Sequence, residues 1–122
     1  MIDHMTLPVS NFKKSKEFML QALAPLGYQL YYEFEDKGAG FSTGDNPDFW
    51  ILEGETPKPA IHVAFVSPDR ATVDAFYEAA IAAGGKDNGK PGLRPEYHEN
   101  YYAAFVLDPD GHNIEAVCQK SE

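Results

Sequence analysis

Cysteine is almost missing from this chain: Cys118 stands alone in 122 residues. That excludes an internal disulfide and suits a reducing compartment. Cys118 follows Glu115 by three positions, so strand alternation sends its thiol to the opposite sheet face, where it reads as packing. Basic residues are also scarce. Ten Lys and Arg stand against nineteen Asp and Glu, a net charge of −9. The one cluster of cations, Lys13-Lys14-Ser15-Lys16, reads as a solvated helix face. Phosphate backbones are repelled by such a surface, so nucleic acid is not an expected partner. No apolar run approaches the ~20 residues that cross a bilayer, so no membrane partner is expected either. The opening Met-Ile-Asp-His leads straight into a strand-like pattern, with no signal-peptide n-region or h-region, and the cytoplasm is the expected location. At this length the chain is expected to fold as one domain over residues 1–122, burying roughly two-thirds of its unfolded surface.

What the sequence does hold is a repeat. Shifted by 58 positions, His4 falls on His62, Leu7 on Phe65, Phe18 on Phe76, Ala22 on Ala80, Leu23 on Ile81 and Gly27 on Gly85. In each half a strand-like run ends in a turn and a helix follows. The apolar spacing predicts helices from about Phe12 to Leu23 and Arg70 to Ala83, with Asn11 and Asp69 as N-caps and Gly27 and Gly84-Gly85 as stops. Strands are expected at 28–34, 40–43 and 49–52, then at 101–107 and 113–117. A long polar loop is expected from Gly89 to Tyr102. Each half therefore reads βαβββ, about 1–57 and 58–122, with Glu55-Thr56-Pro57-Lys58-Pro59 as linker. The class is α+β, with the two units packed edge to edge into one curved mixed sheet and the helices outside.

Three ligand-type residues sit inside apolar β-like runs: His4 in Ile2 to Val9, His62 in Ala60 to Val66, and Glu115 in His112 to Val117. A lone strand histidine is ordinarily a core residue satisfied by hydrogen bonds. Two at equivalent repeat positions, with a carboxylate costly to bury unpaired, point instead to a facial set on one divalent ion (Fe, Mn, Ni or Zn), leaving positions open for water or substrate. Aligning the final hairpins through Phe41 and Phe105 places Ile51 opposite Glu115, with Glu53, two positions on, as a reserve ligand. Candidate substrate contacts are Trp50, Arg94, Tyr97, His98, Tyr101 and Phe105. Arg94 can fork onto a carboxylate or phosphonate, and Tyr97, His98 or Tyr101 can donate to an oxyanion. The alternative for Tyr101 is simply the start of a strand. His112, after Gly111 in a turn, is expected at the surface.

His4, His62 and the Asp108-Pro109-Asp110-Gly111-His112-Asn113-Ile114-Glu115 hairpin, set in a doubled βαβββ chain, resemble the vicinal oxygen chelate superfamily of glyoxalase I, extradiol dioxygenases, fosfomycin-resistance enzymes and bleomycin-resistance proteins. The resemblance implies the glyoxalase/bleomycin resistance/dioxygenase fold, a cup-shaped cavity, a homodimer, a small-molecule substrate, and His4, His62 and Glu115 as the metal ligands. Glyoxalase I uses four protein ligands, and an apolar fourth position departs from it. Three ligands resemble the iron(II) triad of the dioxygenases and the manganese site of the fosfomycin transferases. The serine-rich potassium loop of the transferases is replaced here by Glu99-Asn100-Tyr101-Tyr102, and the chain ends seven residues after Glu115. The implied function is metal-dependent chemistry on a substrate chelated through two oxygens, of dioxygenase, lyase, isomerase or transferase type. The alternative is a metal-free small-molecule binding protein of the bleomycin-resistance type.

Overall fold

A computed structural model describes residues 1–121. The first half runs β1 (Met5–Val9), α1 (Phe12–Ala22), a 3-10 turn (Ala24–Leu26), β2 (Gln29–Phe34), β3 (Gly38–Ser42) and β4 (Phe49–Glu53). The second runs β5 (His62–Val66), α2 (Arg70–Ala82), β6 (Lys86–Leu93), β7 (Tyr102–Leu107) and β8 (Asn113–Cys118). Each half forms a four-stranded mixed sheet, ordered β1-β4-β3-β2 and β5-β8-β7-β6. In each, the strand before the helix lies parallel to the last strand and the others are antiparallel. No helix among the described residues is long and apolar enough to cross a membrane.

The helices begin where their caps dictate. Asn11 accepts from the Lys14 amide at 3.1 Å and Asp69 from the Thr72 amide at 2.7 Å, each satisfying a donor that the first turn leaves free. Burial alternates along β1 and β4, so Leu7, Val9, Phe49 and Ile51 turn inward to the helices. Phe65, Ile114, Ala116 and Cys118 do the same in the second half. The helices also meet each other, so one core spans both modules. Phe65 holds the junction, edge-on to Phe49 at 5.1 Å and to Tyr28 at 5.3 Å between ring centroids.

The loop expected from Gly89 to Tyr102 is shorter than its composition suggested. Lys86–Leu93 forms β6, paired with β7 through two register shifts around Gly89. An edge strand tolerates the glycines and the proline that would break a central one, because one side of its backbone needs no partner.

His112 is likewise not at the surface. It is fully buried, accepts at Nδ1 from the Ile61 amide at 2.9 Å, and lies 3.0 Å from the Pro8 carbonyl through Nε2. The first bond leaves the ring proton for Nε2, which donates to Pro8. The turn before it also reaches the first module, with both Asp110 oxygens on Ser10, one on its amide and one on its hydroxyl.

Candidate functional site

Each sheet has a second face, turned away from the helices, and on both sheets it is largely open. On the first module this face carries Thr6, Trp50, Gly40 and Tyr32, which are partners along one cross-strand row. The Trp50 indole lies over Gly40, where a Cβ would come within 2.8 Å of the ring. Tyr32 stands edge-on to Trp50 at 6.5 Å between centroids and tilted to Phe34 at 6.2 Å. The result is an aromatic wall. His4 lies beside it, in a recess of about 320 Å³ lined by Asp3, Thr6, Asn46, Pro47 and Trp50. Its Nδ1 is 2.7 Å from the Asp3 carboxylate, which leaves Nε2 free.

The matching row of the second module is Ala64, Glu115, Phe105 and Gly89. Because Thr6 pairs with Trp50 as Ala64 pairs with Glu115, Trp50 is the symmetry mate of Glu115. The alignment that placed Ile51 there was one residue out of register, and Ile51 faces the helices. Glu53 shares the Ile51 face. Its carboxylate accepts from the Phe12 amide at 2.9 Å, at the amino end of α1.

Glu115 is 1% exposed, yet both its oxygens are satisfied. Oε1 is 2.7 Å from His62 Nε2 on the adjacent strand, and Oε2 accepts from the Tyr101 hydroxyl at 2.5 Å. The His62 side chain is 53% exposed on its far side. Burial, then the bond to Glu115, pushes the Tyr101 hydroxyl up to about 12, so it is a proton donor at neutral pH and not a base. The separation of His62 and Glu115 is close to the roughly 3 Å between neighbouring donors around a divalent ion. Imidazole nitrogen with carboxylate oxygen is a donor set that Zn, Mn, Fe and Ni accept. A divalent ion is therefore compatible with this donor pair.

Tyr101 and Arg94 reach this face because the chain between them folds back. The Arg94 amide donates to the Tyr101 carbonyl at 2.7 Å, and the Tyr97 and His98 amides donate to the Arg94 carbonyl. Tyr97 is exposed and edge-on to the Tyr101 ring at 5.1 Å. His98 faces its own loop, accepting at Nδ1 from the Asn100 amide. The Arg94 guanidinium lies 5.3 Å from the centre of the Phe105 ring, which is itself 6.3 Å from the His62 ring.

Thus His62, Glu115, Tyr101, Phe105 and Arg94 are gathered on one sheet, and His4 and Trp50 on the other. Among the described residues, three ligand-type side chains converge within 4.8 Å only at Asp108, Asp110 and His112, a group the sequence reading did not single out. There both His112 nitrogens are engaged, and Asp110 is spent on Ser10. Asp108 accepts at Oδ1 from the Asp110 and His112 amides. Burial raises its carboxyl above the ordinary range. The group is a structural turn in which every ligand atom is engaged except Asp108 Oδ2, which is buried without a partner.

A family model for the Glyoxalase/Bleomycin resistance protein/Dioxygenase superfamily matches residues 1–116. Solved structures agree over nearly the whole chain. A glyoxalase/bleomycin resistance protein from Albidiferax ferrireducens T118 superposes with a TM-score of 0.77 at 26% identity, covering 97% of this chain and 98% of that one. A glyoxalase/bleomycin resistance protein/dioxygenase family enzyme from Burkholderia phytofirmans PsJN gives 0.75 at 18%, covering 98% of each chain. The fosfomycin resistance protein FosX from Mesorhizobium loti gives 0.71 at 20%, covering 98% of this chain and 92% of that one. No curated protein matches.

Proposed function

Since the chain belongs to the Glyoxalase/Bleomycin resistance protein/Dioxygenase superfamily, we propose that it is a divalent-metal-dependent enzyme acting on a small organic molecule through two neighbouring oxygens. The observation that carries this is the His62–Glu115 pair, two donors 2.7 Å apart on adjacent strands with one carboxylate almost fully buried. His62 and Glu115 would hold the ion, with His4 as the third ligand. Asp3 supports that role for His4, because a carboxylate on Nδ1 orients the ring and leaves Nε2 as donor. His4 stands on the other module's open face, so a homodimer in which one chain's first module faces its partner's second module would complete the cup.

When bound, the ion supplies a Lewis acid that polarises the substrate oxygens. The chain's own residues do the rest. His62 would present Nε2 to the ion in place of the hydrogen bond it makes to Glu115. Tyr101, a phenol at neutral pH, releases Oε2 of Glu115 and donates its hydrogen bond to oxygen charge developing on the substrate. Trp50 and Tyr32 form the wall against which an apolar substrate body packs. With Trp50 in the place that would mirror Glu115, no second buried carboxylate serves as a base at that position. Reactions in which the substrate or its co-substrate brings its own nucleophile suit this site.

Metal analysis of the full chain, purified without tag or chelator, tests the reading. Near-stoichiometric Fe, Mn, Ni or Zn is expected, and Glu115→Gln should lose it. Stoichiometric metal retained in Glu115→Gln would overturn the ligand assignment. A wild-type protein that takes up no metal on titration would favour the second reading, a metal-free binding protein. The observation in favour of that alternative is that both Glu115 oxygens are satisfied by His62 and Tyr101 alone.

A further inference from the structure

Arg94 occupies a seat made for it. Its guanidinium lies over the Phe105 ring at 5.3 Å, with one terminal nitrogen donating to the Gly92 carbonyl at 2.9 Å and the other to the Lys90 carbonyl at 2.7 Å. Two glycines keep that seat open. A Cβ on Gly89 would come within 2.8 Å of Phe105 and 3.1 Å of one guanidinium nitrogen, and a Cβ on Gly92 within 3.2 Å of the other. Carbonyls orient a cation but do not neutralise it. Among the described residues no carboxylate lies within salt-bridge distance of Arg94, although the chain carries nineteen acids against ten bases. In so acidic a protein, a half-buried arginine without a carboxylate partner needs another reason to be held in place. Nε–H and one N–H on each terminal nitrogen have no acceptor among the described residues.

The position of the seat says what the spare donors face. Phe105 is the direct cross-strand partner of Glu115, and Gly89 is the partner of Phe105 on the other side. The guanidinium therefore stands on the same open face as His62 and Glu115, one strand beyond the buried carboxylate. We infer that Arg94 is an anion receptor on this face, and that the molecule bound there carries a carboxylate or similar planar oxyanion beside the Phe105 ring, the cross-strand neighbour of Glu115. This deepens the reading above by adding a charge requirement to the substrate. A guanidinium fixed by two carbonyls and a ring loses little freedom when it binds, and it offers a fork that a lysine cannot.

The test uses chelator-treated full-length protein and benzoate as probe, with benzamide as its uncharged isostere. Binding is read from the Arg94 Nε–H resonance, assigned by its loss in Arg94→Lys. Benzoate should shift that resonance saturably and benzamide should not. Arg94→Gln should weaken benzoate binding about tenfold or more, measured by calorimetry. Arg94→Lys should recover part of it. Gly92→Ala keeps the charge but crowds one guanidinium nitrogen, so it should also weaken benzoate, by about threefold or more. Equal binding of benzoate and benzamide, no saturable shift, or unchanged affinity in a folded Arg94→Gln protein would each overturn the inference. Because no metal is present in this experiment, its failure is separate from a failure of metal binding, which the metal analysis reads independently.

Discussion

His112 ties together two strands that belong to different modules. Its ring accepts from Ile61, just before β5, and donates to Pro8 in β1, while its own amide is held by Asp108. Removing the ring would strip an acceptor from one amide and a donor from one carbonyl, and would open a void in a fully buried place. His112→Ala is expected to cost about 2–4 kcal/mol, read as a lower urea midpoint at an unchanged slope. A loss below about 0.5 kcal/mol would mean that the bridge does not fasten the modules. The turn Asp-Pro-Asp-Gly was readable as a turn, but nothing in it announces a buried ring. Burial here comes from a strand about a hundred positions away, which no local pattern encodes.

At the scale of elements, local chemistry carried the reading where it was strong. Both helices start at the residues named as caps, because Asn11 and Asp69 act on amides three positions ahead. β6 escaped because Lys86–Leu93 lacks the β-branched and aromatic residues that mark a strand. The slip from Trp50 to Ile51 has a simple cause: Phe105 was matched to Phe41 although its mate is Gly40, and a one-residue slip exchanges the two faces of a strand. That slip made Glu53 look like a spare ligand. Its role at the start of α1 predicts a different phenotype. Glu53→Ala should lower stability by about 0.5–1.5 kcal/mol, as loss of a helix cap does, and should leave metal content unchanged. Loss of metal at unchanged stability would return Glu53 to the ligand set.

At the scale of the whole molecule, the proposed cup takes its third ligand, His4, from a partner chain. His4 and Trp50 face outward on one sheet, His62 and Val66 on the other, and Tyr32, Leu52 and Val66 are well exposed. If the third ligand comes from a second copy, two damaged chains can repair one another. His4→Ala and His62→Ala proteins should each lose metal alone. After joint unfolding and refolding, random pairing makes about half the dimers mixed, each with one intact site, so up to about a quarter of the wild-type metal should return. No recovery, with both variants folded and dimeric, would place all three ligands in one chain. The doubled pattern and the class of fold were legible in the residues themselves. The homodimer proposed to bring the two faces together was not, because a contact between chains leaves no periodic trace in either of them.

The pairing of Trp50 with Glu115 as symmetry mates has a consequence for how such a site can change. Two identical single modules closing on each other must alter both mirror positions at once, so replacing an acid by a wall would erase the acid everywhere. Joined in one chain, the halves mutate independently. One half can keep its buried carboxylate beneath Tyr101 while the other spends the same position on an indole laid across Gly40. Covalent linkage thus lets a repeated surface become two unlike ones, and a pocket built between them would tell one end of a small molecule from the other.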